Sequence, residues 1–193
     1  MKKNSLKLIA AAFLVSSVVT FQSCSNDDDP IPSTPTPTGI AANPNDFKGE
    51  VKSGETVTLD ATKTYKLTGS VMVKDGGQLI IPAGTRIEAT GGTSAFLTVE
   101  QGGKLFANGT ATSPVIFTSP AATPGSWGGV VICGKAPINK GTTASAEVGN
   151  ATYGGTVTND NSGSLSFVRI EYAGAIFNGE KEFNGLSLFG VGN

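Results

Sequence analysis

The sequence contains no histidine among its 193 residues. Histidine supplies the base of most Ser–His–Asp and Cys–His sites and many of the ligands in zinc sites, so its absence excludes those classes of enzyme. The cysteines number only two, Cys24 and Cys133. Because a catalytic thiol usually needs a histidine beside it, we interpret Cys133 as a small buried hydrophobic residue.

Basic residues are also few, and the N-terminus holds three of them. Without Lys2, Lys3 and Lys7, the 14 basic residues fall to 11 against 15 acidic residues, which gives a net charge of about −4. A negative surface argues against nucleic acid and anionic lipid headgroups as partners. Long apolar runs are absent too, because the stretch from Leu8 to Phe21 is shorter than the roughly 20 residues that a spanning helix needs.

Residues 1–23 have the order of a secretory signal: a positive start, an apolar middle and the small residue Ser23. Cys24 follows directly, and this arrangement resembles a bacterial lipoprotein signal. The resemblance implies cleavage before Cys24, acylation of Cys24 with chains such as palmitate, and anchoring in the outer membrane. The alternative is an ordinary secreted protein with a stray cysteine. If Cys24 is acylated, Cys133 has no partner and no disulfide is expected.

Residues 24–45 are predicted to form a linker without regular structure. The acidic run Ser25-Asn26-Asp27-Asp28-Asp29 suits a solvated segment. It is also similar to the signal that directs lipoproteins of Bacteroides-type bacteria to the outer face of the outer membrane. Residues 30–37 read PIPSTPTP, and alternating proline favours an extended spacer.

The main signal in the chain is an internal repeat between Leu67 and Thr118. Val73, Gly76 and Leu79 recur as Val99, Gly102 and Leu105, each 26 residues later. The spacing then drifts, and Ile87 aligns with Val115 at 28 residues. A repeat of this length indicates stacked units. Within each copy, apolar residues alternate with polar ones in three short runs separated by glycines, which predicts three strands and tight corners per coil.

Beyond the repeat, the prediction is less regular. Residues 46–66 look like an incomplete first coil that caps the stack. Residues 134–163 are predicted to leave the stack as a long loop, and residues 165–173 to return as one strand with Val168, Ile170 and Tyr172 on one side. Because no polar cap follows residue 191, we expect the given chain to be the front of a longer protein.

Candidate site residues come from the aromatic side chains of the second half. Trp127 and Tyr153 are candidate ligand-binding residues, because an exposed aromatic face can stack on a sugar ring. Core or corner packing is the alternative for Trp127. The 134–163 loop also contains oxygen ligands that suit Ca²⁺, but their spacing matches no defined calcium loop, so no metal or cofactor is expected.

Acidic residues on the predicted strands offer little sign of catalysis. Asp75, Glu88, Glu100 and Glu171 face outward. Glu88 stands two residues from Arg86, and Glu171 two residues from Arg169, so surface ion pairs are expected. No catalytic residue is assigned.

Three stretches together carry a family resemblance: SVMVKDGGQLIIPAGTRIEA, GSWGGVVICGKAPIN and SLSFVRIEYAG. Together with the lipoprotein-like signal in residues 1–23, residues 46–193 resemble the right-handed parallel β-helix surface lipoproteins of Bacteroides-type bacteria. These proteins belong to the broad pectate-lyase-like class. The resemblance implies an all-β solenoid, exported and facing the cell exterior.

The resemblance leaves several functions open. The first hypothesis is a non-catalytic scaffold that binds a glycan, another cell or a host surface. The second is a polysaccharide lyase or glycosidase, and the third is a structural coat component. A groove that gathers two acids with an arginine or lysine would favour the enzyme, whereas exposed aromatics in an acid-poor groove would favour binding.

Overall fold

The computed structural model describes residues 38–147, 150–179 and 181–192. Strands dominate, and the helical segments in this described part are three short 3₁₀ turns, Gly39–Ala41, Pro44–Asp46 and Gly92–Ser94. No helix in these ranges is long and apolar enough to cross a membrane. The sixteen strands, β1 to β16, are Phe47–Val51, Thr56–Thr58, Thr64–Val73, Gln78–Pro82, Arg86–Ala89, Leu97–Val99, Lys104–Asn108, Val115–Thr118, Val130–Cys133, Ala144–Ser145, Thr152–Tyr153, Gly163–Ser166, Val168–Ile170, Ile176–Asn178, Lys181–Glu182 and Leu186–Phe189.

Twelve of these strands form three parallel faces, and successive coils of the chain add one strand to each face in turn. The first face contains β1, the C-terminal part of β3, β6, β9 and β16. The second contains β2, β4, β7 and β12, and the third contains the N-terminal part of β3, β5, β8 and β13. The predicted parallel β-helix is therefore confirmed.

The register confirms the 26-residue repeat on two faces. Val73 pairs with Val99 on the first face, and Leu79 pairs with Leu105 on the second. On the third face the predicted alignment was wrong, because Ile87 pairs with Phe117 and not with Val115. The chain between Thr110 and Ser113 closes a turn with reciprocal backbone hydrogen bonds of 3.0 and 3.2 Å, and this turn delays the next strand.

The core lies inside the coils. In it, apolar side chains of one coil stack on the apolar side chains at the same positions of the next coil. Because the corrected offset is even, Val115 and Phe117 both still point inward, and they are 0% and 1% exposed. The inward positions of the first three coils are buried in the same way, among them Phe47, Val51, Val57, Tyr65, Leu67, Val71, Val73, Leu79, Ile81, Ile87, Leu97, Val99 and Leu105. Each coil thus covers the apolar surface of its neighbour, which no coil could bury alone.

The N-terminal end differs from the prediction. Strands β1, β2 and β3 pair with the following coil along all three faces, so residues 46–66 belong to a complete coil. The preceding 3₁₀ turns cover this coil, because Ala41 is fully buried and Ile40 packs against the core. The packed chain therefore begins before residue 46, within residues 24–45, which were predicted to be a linker.

Two excursions leave the stack in its second half. Residues 134–162 contain the first hairpin, in which β10 and β11 pair antiparallel, and residues 171–185 contain the second hairpin, formed by β14 and β15. The predicted single strand over 165–173 is wrong. Phe167, at φ 46°, makes a corner between β12 and β13, and Tyr172, at φ 60°, lies beyond the strand and is 38% exposed.

Candidate functional site

Trp127 lies in the core. Its side chain is 0% exposed, its ring stacks against Phe117 with centroids 6.4 Å apart, and its Nε1–H donates to the Glu171 carbonyl oxygen at 2.8 Å. With the ring enclosed and its one polar atom satisfied, Trp127 offers no face to a sugar. The structure gives this residue the packing role. The predicted acylation site, Cys24, lies outside the described residues.

Cys133 is a buried free thiol at the end of β9. Burial raises the pKa of the Cys133 thiol to about 11, and the negative charge of Glu100 contributes to this increase. The thiol therefore stays protonated and unreactive near neutral pH. It packs in a small cluster with Val131, Ala146 and Ala151, so it joins the first hairpin to the outer side of the first face.

Tyr153 closes the same cluster from the first hairpin. Its ring is half-buried and stacks on Phe189 of β16, with centroids 4.7 Å apart. Phe189 is in turn one wall of a surface groove. Tyr153 thus stands next to a cavity, and its role in binding stays a prediction.

The cavity lies where the two hairpins meet the outer side of the first face. Its volume is about 140 Å³. We call it the hairpin groove, and it is lined by Val131, Ala146, Glu147, Glu182, Phe183, Asn184, Ser187 and Phe189. Strands β9 and β16 supply the floor, the first hairpin supplies Ala146 and Glu147, and the second hairpin with the residues after it supplies the opposite wall.

Buried contacts hold the second hairpin at its base. Phe183 is 4% exposed and Ala175 is 1% exposed, and the Phe183 N–H donates to the Ala175 carbonyl at 2.9 Å. Phe96 packs against Phe183 with ring centroids 5.1 Å apart. At Gly129 the chain passes so close that a Cβ atom would lie 2.2 Å from the Asn184 carbonyl oxygen. The wall of the groove is therefore fixed to the stack.

Two carboxylates line the groove, and no cation of the described residues compensates them. Glu147 and Glu182 are both exposed, and neither makes an ion pair with another described residue. No lysine or arginine of the described chain lines the groove. Within the same ranges, no group of three or more His, Cys, Asp or Glu side chains is placed to hold a metal ion.

The outward acids of the stack are ion-paired, as expected. Arg86 contacts Glu88 at 2.8 Å, and Lys66 contacts the same carboxylate from the neighbouring coil. These hydrogen bonds, that from Lys66 first, lower the pKa of Glu88. Arg169 pairs with Glu171 in the same manner. These charges stabilise the outer surface and form no site.

Phe177 is an exposed aromatic residue that is not among the predicted site residues. Its side chain is 52% exposed, and its ring meets Phe183 edge-on, with centroids 6.3 Å apart. Because Phe183 lines the hairpin groove, Phe177 places an accessible ring beside it. The Asn178-Gly179 dipeptide is a hairpin signal that could have located this residue.

A larger cavity, of about 240 Å³, opens between β12 and β16. Its apolar lining includes Ile132, Leu165 and Leu188. Ile132 belongs to the core, Leu165 packs against the core, and Leu188 pairs with Ile132. Asp160 also lines it, and this carboxylate accepts a hydrogen bond from the Ser162 hydroxyl at 3.1 Å. This cavity is the interior of the last described coil, so the hairpin groove is the better candidate site.

Comparison with known proteins supports the architecture. A family model described as a pectate-lyase-like β-helix domain matches residues 49–193, which is most of the chain. No curated protein and no solved structure matches the chain significantly. The matched region begins within β1 and includes all three faces, both hairpins and the groove between them. The chain therefore belongs to the family of pectate-lyase-like β-helix domains.

Proposed function

We propose that the protein is a surface lipoprotein that binds glycans in the hairpin groove and does not cleave them. The family supports a scaffold or a carbohydrate-related role. The observation that carries the proposal is a groove with both polar and apolar side chains and an exposed aromatic ring, Phe177, beside it. Rigid walls reduce the entropy lost on binding.

The groove offers the two kinds of contact that a sugar needs. The ring of Phe177 can stack on the apolar face of a pyranose. The carboxylates of Glu147 and Glu182, the Asn184 amide and the Ser187 hydroxyl can hydrogen-bond to sugar hydroxyls. Tyr153 stands behind Phe189 and would fix its orientation.

The location of the protein belongs to the same proposal. Acylation of Cys24 would anchor the chain in the outer membrane, and the segment between Cys24 and the first coil would hold the β-helix away from the lipid. The acidic run after Cys24 favours the side of the membrane that faces the exterior. There the groove could meet a free glycan, another cell or a host surface.

A carbohydrate-active enzyme is the second candidate, and the pair Glu147 and Glu182 is the observation that favours it. Glycosidases use two carboxylates about 5–9.5 Å apart. However, a general acid is usually held in an apolar pocket, and both glutamates are exposed. A lyase would require a lysine or arginine as base, and none lines the groove among the described residues. Binding is therefore the better-supported function.

The substitution Phe177→Ala should weaken glycan binding by about tenfold, because it removes the only strongly exposed ring beside the groove in the described chain. Phe167→Ala is the matched control, since Phe167 is 60% exposed at a corner away from the hairpins. A glycan array followed by calorimetry on the best ligand measures both. Equal losses for the two variants would contradict binding at the groove.

The same glycans, incubated with the wild-type protein, are assayed for new reducing ends and unsaturated products. The proposal predicts that neither forms. If products form, and if Glu147→Gln or Glu182→Gln abolishes their formation, the protein is a carbohydrate-active enzyme and the proposal of binding without cleavage is wrong.

A further inference from the structure

We propose that the hairpin groove selects uncharged glycans and disfavours polymers of uronic acids. The inference rests on the proposed function and adds the class of ligand. It concerns the charge that the two hairpins bring together, since Glu147 comes from one wall and Glu182 from the other.

Among the described residues, no cation lines the groove to offset these carboxylates. Lys181 precedes Glu182 in β15, but successive residues of a strand point to opposite sides, so Lys181 faces away when Glu182 lines the groove. Lys135, close to the first hairpin along the chain, contacts Asp75 at 3.3 Å. A ligand carboxylate would therefore meet two like charges and no described positive partner within the groove.

The cations on the rest of the first face are also engaged. Lys74 lies between Glu50 at 3.3 Å and Glu100 at 2.6 Å, each from a neighbouring coil. These hydrogen bonds, that to Glu100 first, raise the pKa of Lys74 above its ordinary value, so the ammonium stays charged and paired. Lys48 of β1 is also paired, with Asp46 at 2.9 Å, so the described part of this face provides no free cation for a chain of uronates.

The carboxylates of Glu147 and Glu182 should repel the carboxylates of a uronic acid polymer, and the strength of this repulsion depends on the salt concentration. Repulsion between exposed charges is screened within about 10 Å at 0.1 M ionic strength and within about 30 Å at 0.01 M. A polymer of uronic acids should therefore be disfavoured most at low salt. A neutral glycan should bind with nearly the same affinity at both salt concentrations.

The experiment compares neutral hexasaccharides of β-glucan, xylan and mannan with hexagalacturonate, using the full chain at low and at high salt. We expect the best neutral probe to bind at least tenfold more tightly than hexagalacturonate at low salt, with a smaller ratio at high salt. The double variant Glu147→Gln/Glu182→Gln should lose most of this ratio. Glu171→Gln, which removes a carboxylate from the third face, is the matched control and should keep it.

Two results would overturn the inference alone: binding of hexagalacturonate that equals or exceeds that of the neutral probes, or a ratio that the double variant retains. Binding of none of the probes, and of nothing on the glycan array, would instead contradict the proposed function and the inference with it. The two failures are therefore distinguishable.

Discussion

Replacing Gly103 by alanine should lower the free energy of unfolding by about 2–3 kcal/mol. This is the upper part of the usual range for substitutions that add atoms to a closely packed site. A Cβ atom at this position would lie 2.5 Å from the Val73 carbonyl oxygen and 3.0 Å from that of Lys74. Both contacts are with the backbone of the coil before it, which cannot rotate away as a side chain could. The cost therefore comes from forcing two stacked corners apart.

Chemical denaturation measures this effect, and Gly179→Ala is the control. Gly179 lies in the second hairpin, where a new Cβ atom would have no neighbour within 4 Å. Its substitution should change stability by less than about 0.5 kcal/mol. If the two variants were equally stable, the corners would not be stacked as closely as the structure shows.

Leu105→Ala should cost about 3 kcal/mol of unfolding free energy, within the usual range for a buried leucine. Leu105 is 0% exposed and pairs with Leu79 in the coil before it. Leu188→Ala, at a residue that is 53% exposed, should cost much less. Denaturation of each variant in the same buffer supplies the comparison.

The double variant Leu79→Ala/Leu105→Ala tests the stacking itself. Residues in contact share a cavity, so the two losses should differ from simple addition by about 0.5 kcal/mol or more. Strictly additive losses would indicate that the two leucines do not touch, which contradicts the register of β4 and β7.

The repeat was predictable because its cause is local. Gly76-Gly77 and Gly102-Gly103 mark corners, and the alternation around Leu79 and Leu105 marks the inner side, so the pairing of the coils follows from the sequence. Ile87 was misaligned because the turn between Thr110 and Ser113 adds residues after the Gly109 corner. The single strand predicted over 165–173 was wrong because its corner carries no glycine. At Phe167 an ordinary residue takes φ 46°, and the sequence gives no sign of the corner.

The candidate site was harder to predict because it depends on contacts far apart in the chain. Trp127 was a reasonable candidate by residue type, but the proximity of Phe117 and the Glu171 carbonyl could not be inferred from its neighbours. Glu147 and Glu182 are 35 positions apart and line one groove because the first excursion follows β9 and the second precedes β16, two strands that pair on the first face. Sequence alternation determines the stack, whereas excursions are positioned by tertiary packing.

The central claim is that the hairpin groove is the glycan-binding site, and hydrogen–deuterium exchange with and without the best neutral hexasaccharide tests it most directly. We predict slower exchange confined to residues 144–153 and 181–189, with no change in β2, β4 and β7 on the second face. Protection on the second face, or unchanged exchange in both hairpins at a saturating concentration of the ligand, would contradict the claim.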